Sequence, residues 1–183
     1  MTTGKKDALE KLKIRTTEED DLPVLLEIYN EQVTRSTATL DLDPKSISEW
    51  KEWFGRHGRD NHPLLTAVLG DKIVGYASLS PFRDMAAYRS TVELSVYIAE
   101  PFRGRGIGSA LLDTVLDIAR SDPTTLTVVS VITSDNEKSI RLHEKHGFTY
   151  CGTLPAAAEK FGRLLAVELY TLWVGPGSTE ISR

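Results

Sequence analysis

Arg103-Gly104-Arg105-Gly106-Ile107-Gly108 is the stretch on which the fold of this chain turns. Before it, Thr91 to Ile98 alternates as a strand does. Val92, Leu94, Val96 and Ile98 fall on one face, Glu93, Ser95 and Tyr97 on the other. After it, Ile107, Leu111, Leu112, Val115 and Ala119 recur at helical spacing through about 106–120. A glycine-rich turn that opens a helix leaves backbone N–H groups uncovered and stands at the positive end of the helix dipole. That is a seat for a pyrophosphate, and Arg103 and Arg105 add charge beside it. The dinucleotide fingerprint G-x-G-x-x-G fails, because its last position counted from Gly104 is Ser109. A Gly-Lys-Ser/Thr phosphate loop is absent. A tight turn whose glycines serve close helix–sheet packing is the competing reading.

Outward from this unit, Thr125–Ile132 is β-branched and free of charge, as expected of a strand buried on both faces. Asn136–His146 reads as a helix closed by Gly147, with Ser134 and Glu137 at capping-box spacing. Strands at about 148–154 and 164–174 follow. Upstream, Leu64–Leu69 and Ile73–Ser80 flank Gly70-Asp71-Lys72 as a hairpin. Ile47, Trp50, Trp53 and Phe54 mark a short amphipathic helix that Gly55 and Gly58 end. Leu22, Leu25, Leu26, Tyr29 and Val33 mark a longer one with Pro23 in its first turn, and Thr34–Pro44 between them reads as a loop. Lys13–Thr16 adds a short strand. The order β-α-α-β-β-β-α-β-α-β-β predicts an α/β protein of the α+β kind: a mixed, mostly antiparallel sheet of about seven strands, with helices on both faces.

The 183 residues suit one domain, expected over 12–174 with tails at 1–11 and 175–183. A net charge of −4 argues against a nucleic-acid partner held by a general basic surface. A single cysteine, Cys151, forms no intrachain disulfide and no Cys-rich zinc site; it is expected to pack as a small apolar residue. His57 and His62 lack a third ligand and are expected to be solvated, so no metal is expected. Trp50, Trp53 and Phe54 read as core or dimer contact rather than a ligand cage. The absence of a long apolar run and of an apolar N-terminal segment argues against a membrane and a secretory signal, and for a cytoplasmic protein.

The Arg-x-x-Gly-x-Gly pattern after a Val-Tyr-Ile strand end resembles the acyl-CoA signature of the GNAT superfamily of N-acetyltransferases. Tyr76–Arg83, Ala87–Arg89, Thr91–Glu93, Ser95–Ile98, Arg141–Glu144 and Lys160-Phe161-Gly162-Arg163 resemble its phosphinothricin and methionine sulfone/sulfoximine branch. The resemblance implies acetyl-CoA as co-substrate. The backbone of Val96, Tyr97 and Ile98 would pair with its pantetheine arm, and the amides of Gly104, Arg105, Gly106, Ile107, Gly108 and Ser109 would hold its pyrophosphate. Asn136 would contact it through its side chain. The resemblance also implies a homodimer, and a return of Lys160–Arg163 to the cleft, from either subunit.

An amine must lose a proton before it attacks a thioester. Glu93 is the candidate base, since a carboxylate in mid-strand is costly unless it faces a cleft or a partner such as Arg83 or Arg89. The resemblance assigns that role to the same position. His143 stands four residues before the glycine of Gly147-Phe148, where many relatives carry an acidic tyrosine; it is a candidate for protonating the thiolate or relaying the amine's proton, or a helix-end histidine. For the acceptor, a small amino-acid-like amine, the resemblance points to the loop Phe82, Arg83, Asp84, Met85 and to Glu93, Leu94 and Ser95. Arg83 offers a fork for an oxyanion. Met85 stands where phosphinothricin enzymes tend to carry a second cation, Phe82 where Trp is frequent, and Leu164–Val167 where a Trp-Leu-Asp-Val-like run is usual. These departures weigh on phosphinothricin in particular. A GNAT enzyme for a protein N-terminus or polyamine, and a non-catalytic acyl-CoA-binding module, are the other classes.

Overall fold

A computed structural model describes residues 11–176; the tails expected at 1–11 and 175–183 fall almost wholly outside the described residues. The elements are β1 (Leu12–Thr16), α1 (Leu22–Arg35), α2 (Ile47–Phe54), β2 (Leu64–Leu69), β3 (Lys72–Pro81), β4 (Thr91–Ile98), α3 (Ile107–Ser121), β5 (Thr127–Thr133), α4 (Glu137–Lys145), β6 (Thr149–Lys160) and β7 (Arg163–Trp173). They form a seven-stranded sheet in the order β1-β2-β3-β4-β5-β7-β6, antiparallel throughout except for β4 and β5. No helix among the described residues is long and apolar enough to cross a membrane.

Strand alternation divides the core in two. Leu65, Ala67, Leu79, Val92, Leu94 and Val128 pack against Ile107, Leu111, Leu112 and Val115 of α3, with Ile140 and Leu142 of α4 at the edge. On the opposite face Leu64, Tyr76 and Tyr97 meet Leu22, Leu25 and Ile28 of α1 and Trp50 of α2. A bulge inverts the alternation of β3. Ala67 pairs with Gly75 and Val68 with Ile73, so Val74 has no partner. Ile73 then joins the α1–α2 cluster and Val74 the α3 cluster. Glycine is needed beside it, because a Cβ at Gly75 would stand 2.6 Å from the Tyr97 carbonyl oxygen.

The strand expected at 125–132 runs over Thr127–Thr133 and is buried on both faces except at Val131, which is exposed. The strand expected to end near 154 continues to Lys160, across a register shift between Leu154 and Ala158.

One ion pair with a buried carboxylate fixes the approach to α1. Asp21 is 4% exposed and accepts from both Arg15 Nη atoms at 2.7 Å, from the Glu18 N–H at 2.9 Å and from Thr66 Oγ1 at 3.1 Å. Burial works to raise its pKa, but the Arg15, Glu18 and Thr66 bonds outweigh it and hold the carboxyl below the ordinary aspartate value. Asp21→Asn is expected to cost about 2 kcal/mol in urea denaturation at pH 7. Because the folded pKa is depressed, the wild-type advantage should be present above the unfolded pKa and vanish as pH falls through the folded one. An advantage that persists unchanged in acid would show that the charge of Asp21 is not what stabilises this corner.

Candidate active site

Pairing between β4 and β5 stops after Glu93↔Val129, and the strands part beyond it. Two bonds set the phase of β4. Phe82 N–H donates to Thr91 O and Ala99 N–H to Val74 O, at 3.4 and 2.9 Å. Hence Glu93, Ser95 and Tyr97 turn their backbone groups to β3, while Leu94, Val96 and Ile98 turn theirs toward the gap. The expected pairing role of Tyr97's backbone is therefore corrected: β3 already occupies it. Val96 and Ile98 present the open edge, and the Ile98 carbonyl accepts from Arg103 Nε at 3.0 Å.

A cleft of about 530 Å³ opens from this edge, lined by Val96, Ile98, Gly104, Gly106, Ile107, Gly108, Ser109 and Asn136. Gly104 and Gly106 take positive φ, 72° and 92°, and Gly106 caps α3 without a side chain over its first turn. Gly106 O accepts from Ala110 N–H, so the N–H groups of Ile107, Gly108 and Ser109 have no intrahelical acceptor. Nothing lies within 4 Å of a Cβ built at Gly104. An extended polyamide with an anionic end fits this edge and cradle: strand-like bonds to Val96, then amides and a helix terminus for the charge.

Where the strands part, a chamber of about 200 Å³ adjoins the cleft, with Glu93 and His143 both on its wall. Burial raises the Glu93 pKa above the ordinary carboxylate value, against the opposing charge of Arg83. His143 is 3% exposed. Its Nδ1 lies 2.8 Å from the Ser139 carbonyl, which can only accept, so Nδ1 carries the proton and Nε2 holds a lone pair. Burial pushes its pKa below the ordinary histidine value although the Ser139 bond pulls upward. The ring is neutral at pH 7, a form that takes a proton rather than giving one. Tyr97 has its phenol pushed up to about 12 by burial, so it stays protonated.

Residues 22–148 match the acetyltransferase (GNAT) family. The chain belongs to the GNAT family of N-acetyltransferases. The L-methionine sulfoximine/L-methionine sulfone acetyltransferase of Pseudomonas paraeruginosa is 36% identical over 157 residues, which cover 85% of this chain and 91% of that protein. A GNAT superfamily phosphinothricin acetyltransferase from Sinorhizobium meliloti, solved in complex with AcCoA, superposes at TM-score 0.88 with 30% identity over 94% of each chain. A ribosomal-protein-alanine N-acetyltransferase from Brucella melitensis superposes at 0.84 with 37% identity, covering 88% of this chain and 99% of its own.

In this acetyltransferase Asn136 lines both the cleft and the chamber and also caps α4, its Oδ1 accepting from Ser139 N–H at 3.3 Å. The capping box expected from Ser134 to Glu137 does not form; Asn136 itself takes the capping position. Leu94 and Ser95 line the chamber. Arg105 turns to the Pro101 carbonyl at 2.8 Å and lies outside the cleft lining. Lys138 and Lys145 of α4 do line it, and Lys145 Nζ donates to Ser109 Oγ at 3.2 Å. Their spacing with Leu142, on one helical face, carried that signal in the sequence. Thr37 and Ala38, from the loop after α1, close the cleft and carry no motif.

The loop Phe82-Arg83-Asp84-Met85 follows the end of β3, and Arg83 acts on Glu93 through its charge. Met85 is 60% exposed, and none of the four residues lines the cleft or the chamber. Lys160 and Arg163 reach the cleft's surroundings from the same chain: buried Lys160 donates to Thr39 O at 2.7 Å, and Arg163 pairs with Asp135 at 3.4 Å. Two expectations are corrected. His57 is not solvated: it is buried, donating from Nδ1 to Trp53 O at 2.8 Å and accepting at Nε2 from Ser80 Oγ at 2.9 Å. Cys151 does not pack inward but is exposed, because it sits in the bulge of the edge strand β6.

Proposed function

We propose that this acetyltransferase binds acetyl-CoA along the Val96–Ile98 edge and the Gly104–Ser109 turn, and acetylates the α-amine of a small amino acid. Methionine sulfone, methionine sulfoximine and phosphinothricin define the acceptor class, on the names of the relatives. The observation that carries the reading is the placing of Glu93 and His143 together in the chamber where the cleft ends.

Acetyl-CoA supplies an activated acyl group. The residues of the chain do the rest. Glu93, ionised, accepts a proton from the ammonium, directly or through water, and leaves the nitrogen lone pair free. The Val96 edge would hold the thioester carbonyl carbon of acetyl-CoA within reach of the amine, so that the C–N bond forms at that carbon, the C–S bond breaks and the thiolate departs. His143, neutral with a free Nε2, supports a relay of the amine's proton better than protonation of the thiolate.

The test is thiol release from acetyl-CoA in the presence of methionine sulfone, methionine sulfoximine, phosphinothricin, an N-terminal peptide and a polyamine. The expected result is turnover with at least one of the three amino acids and little with the peptide or the polyamine. Turnover with the peptide or polyamine alone would transfer the protein to the other acceptor class, and none with any amine would leave an acyl-CoA-binding module.

A further inference from the structure

We propose that Lys160 is a positioning residue: from the tip of the β6–β7 hairpin it clamps the segment Thr37-Ala38-Thr39-Leu40 over the chamber of Glu93 and His143, with Arg163 as a second tie, and so keeps water from competing with the amine. This rests on the reading above that acetyl transfer takes place in that chamber. All four residues of the segment line the chamber, and Thr37 and Ala38 also line the cleft. The segment belongs to the irregular connection between α1 and α2, so no regular ladder of backbone bonds holds it down. Side chains do so instead. Thr133 Oγ1 of β5 donates to Thr37 O at 3.0 Å, and Thr37 Oγ1 donates to Asp135 Oδ1 at 2.8 Å. Tyr29 donates its phenolic proton to Asp41 at 2.6 Å, so the Thr39 hydroxyl is the donor in the 2.9 Å bond between Thr39 and Tyr29. The hairpin supplies the rest. Lys160 Nζ donates to Thr39 O at 2.7 Å, and Arg163 Nη2 donates to the second oxygen of Asp135 at 3.4 Å.

The hairpin tip is committed to this contact. Lys160 and Arg163 face each other as the last pair of the ladder, and Phe161 and Gly162 between them take φ 53° and 68°, as a two-residue primed turn requires. Glycine adopts that conformation freely, and phenylalanine does so at a cost. The Phe161 ring lies 5.1 Å from Lys160 Nζ, an attraction that offsets the cost and holds the ammonium in place. Lys160 is 3% exposed on a strand whose other residues are mostly exposed. Taking an ammonium out of water is costly, and a methionine would fill the same space more cheaply. The gain from the cation therefore lies in where it holds the segment. A loosened segment admits water to the thioester. Glu93 would then take a proton from water, the water oxygen would bond to the carbonyl carbon, and the C–S bond would break to give acetic acid and the thiolate. Closure excludes that side reaction.

The experiment follows thiol release from acetyl-CoA with and without the amino acid that wild type acetylates best, in wild type, Lys160→Met and Arg163→Gln. Hydrogen exchange of the 37–40 amides is followed in the same proteins. Methionine keeps an apolar stem of similar length and removes the donor to Thr39 O. We expect Lys160→Met to raise the share of thiol release that needs no amine about tenfold, the loss of one charge-assisted hydrogen bond. The 37–40 amides should exchange faster while those of α3 do not. Arg163→Gln should move both readouts in the same direction by less, and it decides the matter if Lys160→Met folds poorly. A wild-type partition between water and amine in folded Lys160→Met overturns the clamp while leaving acetylation intact, even if the variant melts lower. So does wild-type exchange of the 37–40 amides. A wild type that acetylates no amino acid overturns the functional reading itself, and the clamp with it.

Discussion

Glu93→Gln is expected to lower kcat by about 10²–10⁴-fold while acetyl-CoA affinity, measured by calorimetry, stays at the wild-type value. Glutamine keeps the shape of the side chain and removes its basicity. The affinity should survive because Glu93 stands in the chamber and not in the cleft. The base works only when ionised. Burial raises its pKa, so the acidic limb of the wild-type kcat profile should lie above the ordinary carboxylate range, and the variant should lose that limb. His143→Gln should cost less, about tenfold, as befits a relay. Stability should move the opposite way from activity. With a raised folded pKa, the stabilisation from Glu93 is complete below its unfolded pKa and is lost as pH rises through the folded one. Glu93→Gln should therefore melt above wild type at pH 7, with the gap closing in acid. Wild-type kcat between pH 6 and 9 in the variant would make Glu93 a structural residue.

Gly106→Glu is expected to weaken acetyl-CoA binding at least a hundredfold, about 2.7 kcal/mol. Two causes act together. Gly106 has φ 92°, a conformation that a side chain resists, so the turn before α3 must distort. A carboxylate at the mouth of the cradle also repels the pyrophosphate that the free N–H groups of Ile107, Gly108 and Ser109 would hold. Gly106→Ala separates them. It brings the strain without the charge, and its loss should be smaller and insensitive to salt, whereas the Gly106→Glu loss should shrink as salt screens it. Unchanged calorimetric affinity in folded Gly106→Glu would remove the glycine turn from the binding site.

Much of the architecture was legible because it rests on local periodicity. The alternation of Val92, Leu94, Val96 and Ile98 against Glu93, Ser95 and Tyr97 recurs as the division between the α3 face and the α1–α2 face. The glycines of 104–108 announced a helix start stripped of side chains because that conformation is written into residue type. Glu93 and His143, singled out by strand position and by spacing, fall on the wall of one chamber. The Thr37–Ala38 wall was not, since a loop with no periodicity shows its partners only when the chain folds over the cleft.

What the sequence determined by itself was the set of elements, the placing of Glu93 on the side of β4 opposite the large α3 core, and a phosphate-suited turn. These follow from side-chain period and backbone permissiveness, which act within a few residues. Only the tertiary structure decided which backbone groups of β4 stay unpaired, because that depends on where β5 parts from it after Val129. It also decided that His143 holds its proton on Nδ1, through a carbonyl one turn away in a buried site. And it decided that Trp50 and Ser78 line one cavity. Residues 28 positions apart are brought together by long-range packing of α2 on β3, and no local pattern encodes the distance between them.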